Sequence, residues 1–379
     1  MPSSPDFYNS FLEVYNRPIV GFYVRTGLVR NLHSQITSKQ LDFIIEALKK
    51  ARITLYFFSL TDVNLEDKSV NGTYYDEKTD YWTYGKFPYP DILYVRGGPV
   101  RPKSKFYQFQ EQLREMNVKK LNSGPTFNKW HVLKVLKENN NLFHHLPPTV
   151  IYETKEDLNK MIAEYKDVYV KAVIGRKGKQ VMRIKETSDG LYEYSFYVNN
   201  RLSKDTVNFK ALCTVIRKFF GKKKLIIQKT ISLPRIDNKI YDMRAELQRT
   251  GTGELELLEI LVRVSQPNSP ITQHSSSYRF NDFFSSFMNY NQETIGELKS
   301  KAENVLTQIY ETIEGAYGPY GEIGIDFAID KSGKLWFIEG NSRSTKVSFF
   351  KAADQETKLK SYLNIFEYSK FLYKQQIDY

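Results

Sequence analysis

The sequence predicts a protein that combines α/β and α+β structure in two or three domains. The chain has 379 residues, which is too long for a single simple hydrophobic core and long enough for two or three domains. Apolar runs that are typical of strands alternate with helical patterns in the first hundred residues. Further on, short strand patterns flank glycine turns, as they do in antiparallel pairs. These three observations together predict layers of sheets and helices.

The first unit extends from about residue 18 to residue 100. Its β-branched and aromatic runs predict strands, and apolar residues at helical spacing after a Thr-Ser start predict a helix. The elements follow in the order strand 18–24, helix 37–50, strand 53–59 and strand 91–96. This strand–helix–strand order predicts a parallel sheet. Asn71-Gly72 and the aromatic residues 81–84 predict an inserted hairpin.

The remainder of the chain contains further strands and helices on both sides of a breaker. The pair Pro147-Pro148 interrupts the local pattern and is a candidate domain boundary. Helices are predicted for residues 127–139, 155–165, 209–219 and 291–317. Strands are predicted for residues 167–174, 180–186, 225–229, 242–250 and 254–264. A final hairpin and a helical tail complete the chain.

Composition and charge narrow the possible function classes. A single cysteine, Cys213, excludes an internal disulfide and a cysteine-based metal cluster. No apolar run approaches the ~20 residues of a membrane span, and the first residues lack the layout of a secretory signal, so a cytoplasmic protein without a membrane partner is expected. The net charge of +12 suits a polyanionic partner or reflects surface lysines. Nucleic acid is not the expected partner because no nucleic-acid fold signature is present, although the run of lysines at 222–224 keeps that alternative open.

The segment GEIGIDFAIDKSGKLWFIEGNSRS predicts a hairpin that carries three oxygen-bearing side chains on one face. With a two-residue loop at Lys331-Ser332, Asp326 and Glu339 become diagonal neighbours, and Asn341 shares their face. Two carboxylates and an amide oxygen are hard ligands that suit Mg²⁺ held together with substrate phosphates. In the alternative interpretation, the two carboxylates form ion pairs with nearby lysine or arginine.

The same register divides the other hairpin residues between the two faces of the ribbon. The face of the carboxylates also carries Gly324, Ala328 and Phe337. The small residues among them leave space beside the carboxylates. The opposite face is predicted to pack on the core and carries Ile325, Phe327, Ile329, Trp336 and Ile338.

A basic glycine turn lies between two predicted strands. Lys171 interrupts an apolar strand pattern, where a lysine needs an anionic partner. The turn that follows contains Gly175 and Gly178, whose backbone N–H groups can wrap phosphate oxygens. Additional positive charge comes from Arg176, Lys177 and Lys179. A solvated hairpin tip remains the alternative, and the turn lacks the GK[ST] ending of a Walker loop.

Two arginines lie within strand patterns further along the chain. Arg244 belongs to an Asp-Met-Arg sequence, and Arg263 lies on the next predicted strand. Arginine is the usual side chain for a two-pronged grip on a carboxylate or phosphate. The alternative is a structural ion pair between arginine and Asp242.

The order of these features resembles the ATP-grasp superfamily: a basic glycine turn, a strand-end hinge, Asp-x-Arg, and then Asp and Glu-x-Asn on the last hairpin. More narrowly, the chain resembles the YheC/YheD endospore coat-associated family. The stretches that carry this resemblance are FNKW, LPPT, YVKAVIGRKGK, LIIQKTISL, YDMRAELQRTGTGELE and the last hairpin, with PDILYVR extending it into the first unit.

The resemblance implies an ATP-grasp fold, in which two α+β lobes sandwich a nucleotide behind an N-terminal α/β pre-ATP-grasp domain. We expect these three parts at residues 1–125, 126–230 and 231–379, with a helical tail on the last. The implied cofactors are ATP and Mg²⁺.

The resemblance also implies a role for each residue that matches a family motif. Lys129 and Lys171 contact the ATP phosphates; Gly175, Lys177, Gly178 and Lys179 form the loop above them; Gln228, Lys229 and Ile231 form the adenine-reading hinge; Arg244 and Arg263 hold the acceptor or acyl phosphate; Asp326, Glu339 and Asn341 ligate Mg²⁺.

The implied activity is an ATP-dependent ligation of a carboxylate to an amine or related nucleophile through an acyl phosphate. The basic charge of the chain suits a peptide or anionic polymer as acceptor. The alternative is a non-catalytic spore-coat or scaffold protein that retains the fold. The sequence departs from the family pattern at Gln180, where a third glycine is usual, at residues 272–278, where a Gly-Gly stretch is usual, and at Gly340. The implied location is the cytoplasm or the spore.

Overall fold

The computed structural model describes residues 17–97, 105–124, 126–175, 180–272 and 276–377. The strands of these residues form three sheets, and helices pack on each sheet. The predicted mixture of α/β and α+β structure is therefore confirmed.

The first sheet has the predicted parallel centre. Strand β1 (Ile19–Tyr23) pairs in parallel with β2 on one side and β6 on the other, in the sheet order β3-β4-β2-β1-β6-β7. The remaining strands are β2 (Thr54–Phe58), β3 (Val63–Asn64), β4 (Ser69–Asp76), β5 (Tyr81–Pro88), β6 (Ile92–Val95) and β7 (Lys119–Lys120). Helices α1 (Thr26–His33) and α2 (Lys39–Ala51) cover one face, and α3 (Lys105–Glu115) covers the other. Burial on both faces explains why β1 and β6 are continuous apolar runs.

The inserted hairpin is confirmed as β4 and β5, but its turn follows Asp76 and not Asn71-Gly72. Both Asn71 and Gly72 lie inside β4. A Cβ atom on Gly72 would lie 2.7 Å from the ring of Tyr56. The glycine therefore permits a close approach between β4 and an aromatic ring of the neighbouring strand β2.

The second sheet is antiparallel and has the order β12-β11-β10-β9-β13-β8. Its strands are β8 (Thr149–Tyr152), β9 (Asp167–Ala172), β10 (Val181–Glu186), β11 (Tyr192–Val198), β12 (Arg201–Val207) and β13 (Leu225–Lys229). Helix α4 (Lys129–Lys137) precedes the sheet, and α5 (Lys155–Tyr165) and α6 (Phe209–Phe220) bury its apolar face. Strands β8, β11 and β12 were not expected from the sequence, since their side chains are mostly polar or partly exposed.

The third sheet has the order β17-β16-β15-β18-β19, and β14 pairs with β15. Its strands are β14 (Arg235–Ile236), β15 (Lys239–Arg249), β16 (Leu255–Val264), β17 (Ser276–Arg279), β18 (Glu322–Ile329) and β19 (Leu335–Asn341). The long helix α8 (Gln292–Tyr317) and α7 (Phe280–Met288) cover the apolar face of this sheet. The opposite face carries the polar side chains described below.

The last hairpin, β18 and β19, has a longer loop than predicted. Asp330 exchanges backbone hydrogen bonds with Lys334 and Gly333, and Gly333 has φ +82°, a left-handed conformation that glycine adopts readily. The register then shifts between Asp326 and Phe327. Loop and bulge together place Asp326 directly opposite Glu339 instead of diagonal to it.

The predicted division of the aromatic hairpin residues was wrong for Phe337 and Trp336. Phe337 lies opposite Phe327 and is buried in the core cluster under the sheet. Trp336 lies opposite Ala328 instead, and its indole N–H donates to a carboxylate oxygen of Asp330 at 2.7 Å. The bulge at Ile338 changes which side chains of β19 share a face with those of β18. A strict alternation of side chains between the two faces does not predict this change.

The C-terminal helices connect the first and third sheets. Helix α9 (Val347–Ala352) follows β19, and α10 (Gln355–Ile377) packs on the core of the first sheet through Ile365, Phe366 and Leu372. Helix α10 also lies against the turn between β15 and β16, where a Cβ atom on Gly253 would lie 2.6 Å from the ring of Phe371. None of the helices in the described part of the chain is long and apolar enough to cross a membrane.

Candidate functional site

A cleft of about 690 Å³ lies where residues of all three sheets meet. Its size suits a cofactor-sized ligand. It collects most of the site residues predicted from the sequence, namely Lys171, Gly175, Gln228, Lys229, Ile231, Arg244, Arg263, Asp326, Glu339 and Asn341. These residues come from positions up to 170 apart in the chain, and the fold places them around one space.

A row of charged side chains crosses the third sheet at the floor of this cleft. Arg244 on β15 lies opposite Asp326 on β18, and Asp326 lies opposite Glu339 on β19. Residues that lie opposite each other in antiparallel strands share one face. The antiparallel register therefore fixes the order arginine, aspartate, glutamate across the sheet.

The Asp326 carboxylate is paired with two guanidinium groups. Arg244 binds it through Nε and, at 3.1 Å, through a terminal nitrogen, and Arg263 contacts it at 3.2 Å. Burial alone would raise the pKa of Asp326, but the charges of Arg244 and Arg263 lower it below its usual value. Asp326 is therefore ionised and is the shared partner of both arginines.

The predicted alternative for Asp242, a structural ion pair, is present. Nε of Arg263 donates to Asp242 at 2.7 Å, and the Thr272 hydroxyl donates to its other oxygen at 2.6 Å. Burial raises the pKa of Asp242 despite the neighbouring arginine. Arg263 thus bridges two carboxylates, one of which belongs to the central row.

Glu339 is paired with Lys129, a lysine from outside the third sheet. Lys129 begins α4, whose N-cap residue Asn128 accepts a hydrogen bond from the backbone N–H of His131. Its ammonium lies 3.0 Å from Glu339 and donates to the carbonyl of Gly175 at 3.2 Å. One lysine therefore connects the central row to the glycine turn.

Lys171 lies on β9 at the opposite wall of the cleft. Its ammonium donates to the side-chain oxygen of Gln228 at 2.5 Å, and Gln228 in turn donates to Thr149 at 2.9 Å. Burial lowers the pKa of Lys171 to about 8, an effect that Glu339 opposes and Lys129 reinforces. Among the described residues, Lys171 makes no direct ion pair, so its charge is only partly compensated.

The predicted hinge residues lie where β13 leaves the second sheet. The backbone N–H of Lys229 is engaged with Pro148 at 2.9 Å, and its ammonium lies 5.0 Å from the ring of Tyr165. Ile231 lines the cleft together with Leu233, as an apolar wall should for a flat aromatic group. Three further predicted phosphate-loop residues, Lys177, Gly178 and Lys179, lie outside the described residues.

The donor set around Asp326 and Glu339 fits a hard divalent cation. Asn341 lies opposite Gly324, two positions from Glu339, and its amide nitrogen is buried without a hydrogen-bond partner among the described residues. A half-turn of the amide would exchange its nitrogen for its oxygen, and an amide oxygen is a hard ligand. Since no group of three or more His, Cys, Asp or Glu residues able to hold a metal occurs in the described parts, an ion here would complete its shell with Asn341, phosphate and water.

A second polar cluster adjoins the cleft and was not predicted from the sequence. Glu322 is fully buried and lies 3.0 Å from both Arg96 and Lys346. Tyr94 and Gln248 also donate to it. Burial would raise the pKa of Glu322, but Lys346 and Arg96 lower it to about 2. In the sequence, only the position of Glu322 at the start of the apolar run EIGIDFAI indicates a buried charge. Its partners Arg96 and Lys346 lie far away in the chain and could not be predicted from it.

The comparisons with known proteins agree with this architecture. A family model described as YheC/D like ATP-grasp matches residues 117–372. The endospore coat-associated protein YheD of Bacillus subtilis (strain 168) is 24% identical over 373 residues, which are 96% of this chain and 81% of YheD.

Two solved structures share the fold at low sequence identity. The D-alanyl-alanine synthetase A of Vibrio cholerae O1 has a TM-score of 0.54 at 11% identity, covering 93% of this chain and 99% of that one. The ATP-grasp ligase PsnB, complexed with a minimal precursor, Mg and ADP, has a TM-score of 0.50 at 11% identity, covering 92% of this chain and 97% of that one. The fold around the cleft is therefore the ATP-grasp fold, and because the family model spans more than half of its length, this chain belongs to the YheC/D-like ATP-grasp family.

Proposed function

We propose that this protein is a Mg²⁺- and ATP-dependent ligase that joins a carboxylate to an amine or related nucleophile through an acyl phosphate. The observation that carries the proposal is the row of Arg244, Asp326 and Glu339 in one cleft with Lys171, joined by Lys129, whose ammonium lies 3.0 Å from Glu339. This arrangement combines carboxylates that can hold a metal ion with ammonium groups that can neutralise the phosphates of a nucleotide.

The nucleotide would lie between the second and third sheets. Lys129 and Lys171 would neutralise its phosphates, and Ile231 with the backbone beyond Gln228 would line the adenine pocket. The PsnB complex contains ADP and Mg, which supports the use of a nucleotide and a metal ion by this fold. The carbonyl of Gly175, already 3.2 Å from the Lys129 ammonium, brings the start of the phosphate loop to the same place.

Asp326, Glu339 and Asn341 would hold the metal ion. When bound, Mg²⁺ would supply charge neutralisation on the phosphates and a template for in-line transfer. The ion pair between Lys129 and Glu339 also holds the lysine side chain in position before the nucleotide binds. On binding, Lys129 would exchange its carboxylate partner for a phosphate, and Glu339 would be released to ligate the metal.

In the first step, an oxygen of the substrate carboxylate attacks the γ-phosphorus of ATP, and the bond to the ADP oxygen breaks. In the second step, the nucleophile attacks the acyl carbon, inorganic phosphate leaves, and the proton of the nucleophile passes to solvent or phosphate. Arg244 and Arg263 would orient the carboxylate and the acyl phosphate, since both guanidinium groups are held in place by Asp326 and Asp242.

The test is ADP formation by the purified protein with Mg²⁺, ATP and a pool of carboxylates and amines. We expect turnover that Glu339→Gln reduces by about two orders of magnitude or more, because the metal loses a charged ligand. Glu297→Gln, a change of the same type at an exposed position on α8, is the control. Unchanged turnover in Glu339→Gln would overturn the metal assignment.

A non-catalytic coat-associated role is the second reading, which the name of the relative YheD supports. It predicts nucleotide binding at most, with no ADP release for any member of the pool. Association with the spore is proposed on the same similarity.

A further inference from the structure

One end of the cleft carries a group of cations that the proposed ATP and Mg²⁺ site does not use. We call this group the corner cluster, and it consists of Arg25, Arg96, Arg343 and Lys346. All four line the cleft, although they come from two distant parts of the chain. Their location in the fold, their positive charge and the ion pairs that hold them in position each indicate an anion-binding site.

The first two members lie at the carboxyl ends of adjacent parallel strands. Arg25 follows β1 and Arg96 follows β6, and the backbone N–H of Arg96 donates to Tyr23 at 2.7 Å. The chain leaves β1 for β2 on one side of it, whereas β6 lies on the other side. The two arginines therefore lie at the point where the strand order reverses, which is where open parallel sheets bind ligands.

The other two members come from the segment after β19 and close the corner from the opposite side. Arg343 donates to the carbonyl of Gly97 at 2.5 Å and to the hydroxyl of Thr126 at 3.3 Å. These contacts join the third sheet to the carboxyl end of β6. The same segment continues from Asn341, so the corner is continuous with the proposed metal site.

The corner is held rigid by a buried carboxylate. Glu322 lies 3.0 Å from Arg96 through one oxygen and 3.0 Å from Lys346 through the other. The Lys346 side chain is almost fully buried, so it acts as a support, whereas Arg96 retains about a quarter of its side-chain exposure. Glu322 is thus a positioning residue that fixes the guanidinium of Arg96 at the wall of the cleft.

Positive charge exceeds negative charge along the cleft. Among the described residues that line it, nine are lysine or arginine and four are aspartate or glutamate. Three of the four acids, Asp242, Asp326 and Glu339, are each paired with a cation. At the corner, the buried Glu246 and Glu322 face Lys346, and within the described residues the exposed Arg25 side chain has no ion pair.

We propose that the corner cluster binds an anionic group of the second substrate, so that the substrate carries a phosphate or carboxylate in addition to the carboxylate that reacts. The inference rests on the proposed function, which assigns the other end of the cleft to Mg·ATP and supplies the carboxylate that reacts. It names a substrate class, a carboxylate with a second anionic group, and assigns Arg25 and Arg96 to the recognition of that group.

The test is calorimetric binding of three probes, phosphonoacetate, succinate and propionate, to the full chain with and without Mg²⁺ and a non-hydrolysable ATP analogue. Phosphonoacetate and succinate carry two anionic groups, and propionate carries one. We expect at least one of the first two to bind about tenfold or more tightly than propionate, and Arg25→Glu to remove that advantage. Comparing phosphonoacetate with succinate shows whether phosphate or carboxylate is the preferred second group.

The control is Arg30→Glu, which changes an exposed arginine of α1 outside the cleft by the same charge. Arg30→Glu should bind all three probes as the unaltered chain does. Equal affinity for the three probes, no binding of any probe, or equal weakening by the two variants would overturn the inference. Nucleotide binding without probe discrimination would reject only the corner cluster, whereas probe discrimination without ADP formation would reject only the ligase proposal.

Discussion

Asp326 and Glu339 lie directly opposite each other on β18 and β19, yet they are held by different cations. Two guanidinium groups of the same sheet hold Asp326, and the Lys129 ammonium from α4 holds Glu339. The Asp326 pairs lie within the sheet, whereas the Glu339 pair joins the sheet to helix α4. The two carboxylates should therefore respond differently to neutralisation.

Replacing Asp326 by asparagine should destabilise the protein by about 3–5 kcal/mol, because two buried arginines lose a shared carboxylate. Glu339→Gln should cost less than Asp326→Asn, because Glu339 pairs with one cation and its side chain is 26% exposed, whereas Asp326 pairs with two arginines and is 12% exposed. Urea denaturation of the two variants measures the free energy of unfolding. Similar losses in the two variants would contradict the distinction between a structural and an exchangeable pair.

The pKa of Lys171 gives a second prediction, on nucleotide affinity. Its ammonium is charged below pH 8 and neutral above, because burial lowers the pKa to about 8. A bound phosphate favours the charged form, so binding above pH 8 must take up a proton. The affinity for Mg·ATP should accordingly fall by up to about tenfold per pH unit between pH 8 and 10.

Calorimetry in buffers of different ionisation enthalpy measures this proton uptake. Lys171→Gln should bind more weakly at pH 7 and should lose the pH dependence of the affinity. An affinity that is constant from pH 7 to 9.5 in the unaltered chain would show that Lys171 does not contact the phosphates.

The sequence predicts the central elements well where periodicity and burial agree. Helix α5 was predicted with its observed bounds, and the parallel pairing of β1 and β2 was predicted from the strand–helix–strand order. The hairpin β11–β12 was missed because β12 reads RLSKDTV and buries little, so no hydrophobic alternation marks it. Backbone hydrogen bonds to β11 hold β12 in the sheet, and hydrophobic patterns in the sequence do not indicate such bonds.

The site was predicted through residue types but not through partners. The oxygen-bearing face of the last hairpin follows from alternation, yet the bulge at Ile338 that makes Asp326 and Glu339 direct neighbours has no strong local signature. The pair of Arg96 and Glu322 joins residues 226 apart, and no single-sequence pattern reports such a distance. Long-range ion pairs therefore had to come from the structure.

The Glu322 cluster gives a third prediction, on acid stability. The pKa of Glu322 is lowered from 4.5 in the unfolded chain to about 2 in the fold, because Lys346 and Arg96 outweigh the effect of burial. A lowered pKa contributes stability that is complete above about pH 4.5 and is lost as the pH falls towards 2. The contribution is on the order of 3 kcal/mol.

The free energy of unfolding of the unaltered chain and of Glu322→Gln should be compared from pH 6 to pH 3. The difference between the two should be largest near pH 6 and should shrink as the pH decreases, because the unaltered chain loses the advantage of its carboxylate. A difference that does not change with pH would show that Glu322 is not the ionised anchor of Arg96 and Lys346.

The last prediction concerns Gly324, which gives Arg244 room at the floor of the cleft. A Cβ atom at this position would lie 2.7 Å from a terminal nitrogen of Arg244 and 3.1 Å from the Cβ of Ser344. Gly324→Ala should therefore displace the Arg244 guanidinium from Asp326. We expect a loss of about 1–3 kcal/mol in the free energy of unfolding and a larger fall in kcat/KM for the carboxylate than in nucleotide affinity.

Gly296→Ala is the matched control, because a Cβ atom on this exposed glycine of α8 meets nothing within 4 Å. There the substitution should raise stability by about 0.5–1 kcal/mol, since alanine loses less conformational entropy in a helix than glycine. The decisive comparison is between the carboxylate and nucleotide steps in Gly324→Ala. If nucleotide affinity fell as much as carboxylate turnover, Arg244 would belong to the nucleotide site and not to the grip on the carboxylate.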